Sequence, residues 1–375
     1  MFSKIMLKTT ATLISMIIAL GTLFGVYKKP ATESADKYFD DNVKNVIYLI
    51  GDGMGFNHLE KTKLERETEL IMDSFGIKGS SMTRSFNKKV TDSAAGGTAL
   101  SSGIRTSNSA VGVYPLDKKA KYSYPKSITE LCMEKGMLTG VVTTDTTTGA
   151  TPASFSAHEA DRDMNAELTA DQFESGINLI WGTENGVATK SEAEAKGYDY
   201  IATYDEMMAL SEGGYSYAQF TNSLWKIDRA DKTTPTLEEM TMKAIDILDD
   251  TDEGFFLMVE GAHIDKHSHS NLSAEMTESL EAFDNTIEAV LEYAKADGET
   301  LVVVTADHET GAITADGDGY IFTSDDHSKA DVPVLVYGSD KLIAQGEKLN
   351  NYEIPTRIAY LLGFSEDEFP VAVIV

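Results

Sequence analysis

The chain has 375 residues, of which 42% are hydrophobic and 25% are charged, enough apolar material for one large soluble core. Sixty acidic residues against thirty-two basic ones give a formal net charge of −28, which repels nucleic acid and anionic membrane surfaces at long range. This composition excludes a disordered or fibrous protein and argues against a nucleic-acid partner.

The N-terminal segment has the form of a secretory signal. Within residues 1–26, two lysines precede an apolar run, which is the order of a charged region and a hydrophobic region. No clear cleavage triplet follows, so an uncleaved membrane anchor stays open as the alternative. We predict a periplasmic or extracellular protein whose residues 27–44 form a linker. Cys132 is the single cysteine, which rules out an intramolecular disulfide in this chain.

Five short apolar runs are predicted as strands of one sheet. They are continuous rather than alternating, which is typical of strands buried on both faces of a mainly parallel sheet. In chain order the runs are Asn45–Ile50, Gly140–Thr144, Phe255–Val259, Leu301–Thr305 and Val332–Tyr337. The first four lead into residues that could bind a metal, namely Asp52, Asp145, Glu260 and Asp307.

Amphipathic stretches between these runs are predicted as crossover helices, at Lys126–Lys135, Thr236–Leu248 and Ser273–Ala296. The fold class is therefore α/β and doubly wound, with a mainly parallel central sheet and helices on both faces. Residues 163–235 are weakly periodic and are predicted as a small insertion covering the site, inside a single catalytic domain over 45–375. Ligands bind beyond the carboxyl ends of such strands, so the acids there are expected to converge.

The segment 259–269 carries the densest set of potential metal ligands. It places two carboxylates and three histidines directly after a predicted strand, and this donor mixture suits zinc. A single acid after a strand more often caps the next helix, but a cluster favours a metal site. The segment 307–309 and His327 bring the ligand number to that of two transition-metal sites, the usual apparatus for displacement at phosphorus.

Ser93 is the candidate nucleophile. It is followed by small residues, which predicts a helix beginning there with its free N–H groups available to an alkoxide and a phosphate. An N-cap serine is commonplace, so this signal is weak by itself. The surrounding residues do not form the G-x-S-x-G elbow of acyl hydrolases.

Four motifs in a fixed order make the sequence resemble the alkaline phosphatase family from about residue 45 to the C-terminus. They are Asp-Ser-Ala, Thr-Pro-Ala, Val-Glu-Gly-Ala-x-Ile-Asp-Lys and Thr-Ala-Asp-His-Glu, in the segments 91–103, 150–162, 234–269 and 301–311, preceded by 45–55. The resemblance implies an alkaline phosphatase-like fold, a secreted enzyme that acts on small phosphate monoesters, and a homodimer.

The resemblance also implies a role for each matched residue. Ser93 is expected to be transiently phosphorylated, Arg162 to clamp the phosphate with its planar guanidinium, and Lys266 to reach the phosphate through water. Two Zn²⁺ and one Mg²⁺ are expected per chain. The first zinc is assigned to Asp52, Asp307 and His308, the second to Asp265, His269 and His327, and the magnesium to Asp52, Thr151 and Glu260.

The sequence departs from the family pattern at Gly149. Much of the family has Asp or His at this position, two residues before the threonine, so the glycine predicts weaker or altered magnesium binding. His263 and His267 match no family ligand and are not expected to bind the metals directly. His58 and His158 are predicted to be structural.

Two other functions are weighed against this prediction. A sulfatase of the same superfamily needs a C/S-x-P-x-R context, which the residues after Ser93 lack, and diesterases usually lack the arginine, so Arg162 favours monoesters. A non-catalytic zinc- or phosphate-binding relative is the second alternative. It is disfavoured because the matched residues are intact except at Gly149.

Overall fold

The computed structural model describes residues 34–114, 124–211, 213–221 and 233–370, and its centre is a large β-sheet. The strands are β1 (Asn45–Gly51), β2 (Ile77–Met82), β3 (Leu138–Thr146), β4 (Leu179–Thr183), β5 (Asp199–Ile201), β6 (Ser216–Phe220), β7 (Phe255–Gly261), β8 (Thr300–Thr305), β9 (Glu309–Thr310), β10 (Thr314–Asp316), β11 (Gly319–Ile321), β12 (His327–Ser328), β13 (Val332–Tyr337) and β14 (Lys348–Asn350). Ten of them, within the described ranges, form the central sheet in the order β14-β2-β13-β8-β1-β7-β3-β4-β6-β5.

The sheet is parallel except at β13, which pairs antiparallel with both β8 and β2. The apolar run over 332–337 is thus a strand of the sheet, as predicted, but its direction is reversed. The reason lies in the preceding chain. Residues 306–331 stay at the carboxyl end of the sheet, where β9 and β12 pair with each other, so the chain re-enters the sheet from that end.

Helices cover both faces of the sheet. They are α1 (Phe56–Arg66), α2 (Ser93–Ser102), α3 (Ile128–Glu134), α4 (Ala150–Ser154), α5 (Asn165–Glu174), α6 (Lys190–Ala195), α7 (Tyr204–Met208), α8 (Leu237–Leu248), α9 (His263–His269), α10 (Ser273–Asp297) and α11 (Glu353–Leu361), with short 3₁₀ turns at Ala35–Lys37 and Ile71–Ser74. Capping boxes begin α3 and α8, where Ser127 and Thr236 accept from the N–H groups three residues later.

Alternate residues of β1 point into two separate apolar cores. Ile47 and Leu49 belong to one core together with residues of α8 and α10, whereas Val46 and Tyr48 belong to the other with residues of α3 and α11. Burial on both faces explains why the strand sequence is continuously apolar. The predicted α/β fold, with a mainly parallel sheet between helices, is confirmed.

The region 163–235 extends the sheet at one edge. Its β4 pairs with β3, and β6 and β5 follow beyond it, all in parallel. These strands are three to five residues long, which explains their weak periodicity in the sequence. The described part of the region is therefore built into the central sheet, and its role as a cover stays a prediction.

The segment 34–44, predicted as part of a linker, packs against the domain. Tyr38 is 3% exposed and its ring lies 6.2 Å from that of Tyr360. The Asp40 carboxylate accepts a hydrogen bond from Ser339 at 2.7 Å. Because these contacts bury Tyr38 and Asp40, packing against the domain begins before Asn45. The predicted signal or anchor at 1–26 lies outside the described residues, and within the described ranges no helix has the length and apolar character needed to cross a membrane.

Candidate metal centre and nucleophile

The carboxyl ends of four neighbouring strands meet at one point of the sheet. In the order β8-β1-β7-β3, Ile50 of β1 pairs with Thr305 on one side and Glu260 on the other, and Glu260 also pairs with Thr143. This register brings together the acids that follow or end each strand. The convergence predicted from the strand ends is therefore present in the structure.

Ser93 lies against an imidazole and two carboxylates. Its Oγ is 3.1 Å from Nε2 of His308. The same nitrogen lies 3.2 Å from Oδ2 of Asp307 and 3.4 Å from Oδ1 of Asp52. All four side chains are buried. The residues predicted to hold the first zinc are thus gathered around the predicted nucleophile.

The position of Ser93 is set by helix α2, which it begins. Asp92 caps this helix by accepting from the Ala95 N–H at 3.0 Å, and it also accepts from the Ser109 N–H at 2.7 Å. The helix approaches the strand end closely because Gly96 has no side chain. A Cβ at Gly96 would lie 2.9 Å from the carbonyl oxygen of Asp307. The small residues after the serine therefore allow the N-terminus of α2 to lie against the predicted metal ligands.

A second group consists of Asp265, His269 and His327. Oδ1 of Asp265 lies 3.4 Å from Nε2 of His269 and 3.7 Å from Nε2 of His327. The two Nε2 atoms are 3.0 Å apart. Each ring directs its other nitrogen to a backbone carbonyl, with Nδ1 2.6 Å from the Asp325 oxygen and 2.9 Å from the Thr91 oxygen.

The hydrogen-bond pattern of the two rings fits a bound cation. A carbonyl oxygen can only accept, so in the neutral tautomer that fits these contacts Nδ1 of His269 and of His327 donates and Nε2 carries a lone pair. Two lone pairs that face each other cannot form a hydrogen bond, whereas one cation between them accepts both. The set of two imidazoles and the Asp265 carboxylate is one that zinc prefers.

The first group also has the charge balance of a cation site. Oδ1 of Asp52 is buried without a hydrogen-bond partner. Burial raises the pKa of Asp52 well above its usual value, and the nearby charges of Asp307, Asp265 and Glu260 raise it further. Burial and the neighbouring His327 hold the pKa of His308 well below that of free imidazole. The carboxylates therefore need a positive charge that the imidazole does not supply.

Asp265 faces both groups. Ligand atoms of Asp52, Asp265 and His308 lie within 4.8 Å of one another, as do those of Asp265, His269 and His327. The first of these sets has Asp265 where the sequence prediction has Asp307. Asp307 is nevertheless adjacent, through its contact with Nε2 of His308.

The residues predicted for the magnesium site lie beside this centre. Thr151, on α4, is 1% exposed, and its Oγ1 lies 3.5 Å from Oδ2 of Asp307. Glu260 is fully buried; one of its oxygens accepts from Thr143, and the other, Oε1, has no partner. Burial, and next the charge of Asp145, raise the pKa of Glu260 to about 8.

The two predicted phosphate-binding side chains lie at the rim. Nη1 of Arg162 is 3.8 Å from Oδ2 of Asp92, the residue before the nucleophile, and its side chain is 34% exposed. Lys266, on α9, contacts the Asp145 carboxylate and is 43% exposed. Burial lowers the pKa of Lys266, but the charge and hydrogen bond of Asp145 together with the charges of Glu260 and Asp52 outweigh it, and the net shift is upward.

The other histidines contact protein groups away from the centre. Nδ1 of His263 lies 3.2 Å from Thr144 Oγ1, and Nδ1 of His267 lies 3.0 Å from Ser279 Oγ. His58 contacts Ser268 and His158 contacts Glu130.

Two further residues contact the centre, and one of them, Thr310, had no role assigned from the sequence. Thr310 donates to Oδ1 of Asp265 and lies 3.2 Å from Nδ1 of His308. Asp145 contacts Lys266. Asp145 follows one of the predicted strands, so its position carried a signal, whereas nothing in the sequence distinguishes Thr310 from other buried threonines.

Comparisons with known proteins show similarity to one family. The family profile described as "Alkaline phosphatase" matches residues 43–180 and 182–337. Alkaline phosphatase 3 of Bacillus subtilis (strain 168) is 34% identical over 316 residues, which is 79% of this chain and 67% of that protein. The alkaline phosphatase of Escherichia coli (strain K12) is 30% identical over 342 residues, covering 73% of this chain and 71% of that protein. The match to the Schizosaccharomyces pombe enzyme spans 62% of that protein's length.

Solved structures show the same fold. The alkaline phosphatase of the Antarctic bacterium TAB5 superposes with a TM-score of 0.73 at 29% identity, covering 86% of this chain and 99% of that one. A cold-active enzyme of Shewanella sp. superposes with a TM-score of 0.76 at 24% identity, covering 85% and 100%. A variant of the TAB5 enzyme is described with Mg bound in its M3 site.

Proposed function

The chain belongs to the alkaline phosphatase family, and on this premise we propose that it hydrolyses small phosphate monoesters through a phosphoserine formed on Ser93. The observation that carries the proposal is the position of the serine oxygen, 3.1 Å from His308 at the start of a helix and beside two carboxylate-imidazole groups. A hydroxyl in that place is next to positive helix-end charge and to the expected cations, which stabilise an alkoxide.

We propose that two zinc ions and one magnesium ion complete the centre. Asp52, Asp307 and His308 would hold the first zinc, with Asp265 close enough to share it. Zinc at such sites lowers the pKa of oxygen ligands and neutralises charge that develops on the transferring phosphoryl group. The second zinc would be held by Asp265, His269 and His327, and the magnesium by Asp52, Thr151 and Glu260.

The reaction would proceed in two displacements at phosphorus. The Ser93 hydroxyl loses its proton to solvent, its oxygen forms a bond to phosphorus, and the bond from phosphorus to the alcohol oxygen breaks. The alcohol leaves after taking up a proton. Water then attacks the phosphoserine, and the Ser93 oxygen regains a proton as inorganic phosphate departs, so the enzyme is unchanged.

Arg162 would hold the phosphoryl group during both steps. Its guanidinium is partly exposed and is tethered only loosely, 3.8 Å from Asp92, so it can turn toward a bound anion. A planar guanidinium binds two phosphate oxygens at once, which aligns the group for in-line attack. A diester has one fewer free oxygen, so this residue favours monoesters.

Removal of the nucleophile tests the proposal. The Ser93→Ala variant, loaded with zinc and magnesium, is expected to lose at least about 10³-fold in kcat for p-nitrophenyl phosphate, because the covalent route is closed. Its zinc content, measured by mass spectrometry, should stay at two ions per chain. The matched control is Ser101→Ala on the same helix, which removes a buried hydroxyl that bonds only locally and should leave kcat unchanged.

The same assay separates the alternatives. Faster hydrolysis of bis-p-nitrophenyl phosphate than of the monoester would indicate a phosphodiesterase. A zinc-replete wild type without turnover would indicate a binding protein. Secretion and a homodimer stay predictions, to be checked by N-terminal sequencing of the exported protein and by light scattering.

A further inference from the structure

Gly149, which lacks the side chain that much of the family carries there, directly precedes α4. Its backbone angles, φ −50° and ψ 145°, are open to any L-residue, so the conformation does not require glycine. The space above it, however, is occupied by another side chain. A Cβ at this position would lie 2.5 Å from Oδ2 and 2.8 Å from Cγ of Asp145. The Asp145 carboxylate thus fills the place into which a side chain at 149 would point.

Asp145 is linked to both sides of the magnesium region. At the end of β3, its carboxylate contacts Nζ of Lys266 and accepts from the Thr146 N–H at 2.7 Å. Its own N–H donates to Oγ1 of Thr143 at 2.8 Å, and that hydroxyl in turn donates to Glu260. One short series of contacts therefore connects the predicted metal ligand Glu260 to the predicted phosphate-binding lysine.

The charges around Asp145 are not balanced by protein groups alone. Its side chain is 18% exposed and has Lys266 as a cationic partner. The neighbouring Glu260 is fully buried, and its Oε1 has no hydrogen-bond partner. A buried carboxylate oxygen left unpaired is costly, and a divalent cation with oxygen ligands satisfies it. Asp145 thus lies between Lys266 and a carboxylate that needs a cation.

We propose that Asp145 replaces the side chain that is absent at Gly149. Its carboxylate positions Lys266 and orients the ligands of the magnesium site without being one of them. The inference rests on the proposed function for the role of Lys266 in binding phosphate. The proposal revises the expectation of weaker or altered magnesium binding that Gly149 alone gave. A carboxylate is still present at this place, and only the residue that carries it differs. A carboxylate carried by residue 145 or by residue 149 can fill the same position in space.

The test compares magnesium binding in zinc-loaded full-length variants by titration calorimetry with MgCl₂. Asp145→Asn keeps the shape of the side chain and removes its charge, and it should weaken Mg²⁺ binding about 10-fold, the lower end for a partner that orients metal ligands. Inhibition by inorganic phosphate should weaken as well, since Lys266 loses its anchor. Zinc content should not change. The control Asp199→Asn removes one charge from the exposed edge strand β5 and should alter neither quantity.

A rescue experiment tests whether the two positions are interchangeable. Asp145→Ala should lose Mg²⁺ affinity, and Gly149→Asp alone should also lose it, because the new side chain competes for the space of Asp145. The double variant Asp145→Ala/Gly149→Asp should recover most of the affinity. Zinc content at the wild-type level in each single variant shows that the variant folds.

Three results would overturn the inference: wild-type Mg²⁺ and phosphate binding in Asp145→Asn, a double variant no better than Asp145→Ala, or a wild type that takes up no third cation. Because Mg²⁺ binding is measured without substrate, failure of the proposed function can be distinguished from failure of the Asp145 inference. An inactive wild type whose Mg²⁺ affinity still depends on Asp145 would refute the phosphatase proposal and leave the Asp145 assignment to the cation site standing.

Discussion

Glycines allow the ligand side chains of the candidate centre to approach one another. At Gly53, φ is +71°, a conformation that L side chains rarely adopt, and a Cβ would lie 2.9 Å from Oδ1 of Asp265. The Gly53 N–H donates to Oδ1 of Asp307 at 3.2 Å. Gly96 and Gly149 leave room for the Asp307 backbone and the Asp145 carboxylate. Residues without side chains are therefore as much a part of the site as its acids and histidines.

Gly96→Ala tests this close approach. The added methyl group would lie 2.9 Å from the carbonyl oxygen and 3.1 Å from Cβ of Asp307, so it should displace the strand end that carries Asp307 and His308. Alanine favours a helix over glycine by about 1 kcal/mol, so α2 itself should not suffer. We expect kcat/KM to fall at least about 10-fold, as small misplacements of reacting groups do, and zinc to be lost faster to a chelator.

The control for this substitution is Gly76→Ala. A Cβ at Gly76 meets no heavy atom within 4 Å, so activity and zinc retention should be those of the wild type. Unchanged kcat/KM in Gly96→Ala would show that the helix does not need to lie so close to Asp307.

The long helix α10 stabilises the domain at a place away from the site. Its Asp284 is buried and accepts from the N–H groups of Ile71 at 2.7 Å and Met72 at 3.0 Å, at the start of the 3₁₀ turn Ile71–Ser74. Burial raises the pKa of Asp284 to about 6, although the two N–H donors lower it. The helix thus satisfies backbone groups of a segment more than 200 residues earlier in the chain.

Asp284→Ala should destabilise the protein without affecting catalysis. Two buried N–H groups lose their acceptor, and each unsatisfied group costs about 1 to 3 kcal/mol in the free energy of unfolding. Urea unfolding measures the loss, while kcat at 25 °C should stay at the wild-type value. A fall in kcat together with unchanged stability would contradict this assignment.

The matched variant Asp284→Asn removes the charge and one of the two acceptor oxygens, and of these two effects only that of the charge varies with pH. The folded-state pKa is raised, so the stabilising protonated form is present below the unfolded pKa of 3.8 and is lost as pH rises through about 6. The stability of Asp284→Asn relative to wild type should therefore increase between pH 4 and pH 7, by on the order of 2 kcal/mol. A stability difference between the two proteins that does not change with pH would show that burial does not raise the pKa of Asp284.

On the scale of the whole molecule, we expect the acidic centre to couple folding to metal binding. The net charge of −28 is already unfavourable for a compact state, and the centre adds buried carboxylates in contact. Cations that bind only the folded state stabilise it by mass action. The centre should therefore contribute strongly to thermal stability in a chain that has no disulfide.

Metal removal should make stability fall with rising pH. The pKa of Glu260 is raised from 4.5 to about 8, so in the metal-free protein the stability contributed by its protonated form is complete below pH 4.5 and is lost as pH rises through about 8. Burial lowers the pKa of His58, His263 and His308, so these rings do not titrate between pH 7 and pH 9. We expect the Tm of chelator-treated protein to be lower at pH 9 than at pH 7, and the Tm of zinc- and magnesium-loaded protein to change less. Equal pH dependence of both forms would contradict this coupling.

Several features of the fold and the site were predictable because they depend on local patterns. The continuous apolar runs predicted β1, β3, β7, β8 and β13, and α3, α8 and α10 begin or end within two residues of their predicted limits. The motif residues around Ser93, Asp265 and Asp307 were assigned by type and order. The short edge strands of 163–235 were not found, because three to five residues do not establish a period.

The sequence by itself determined five strands of the central sheet, three crossover helices and which side chains have the chemistry to bind metal and phosphate. The tertiary structure decided the reversed direction of β13, the place of Asp265 between both ligand groups and the meeting of Asp145 with Gly149 and Lys266. The physical reason is that residue type and periodicity act over one or two turns. Contacts between residues far apart in the chain follow from strand order, register and the space that neighbouring side chains leave.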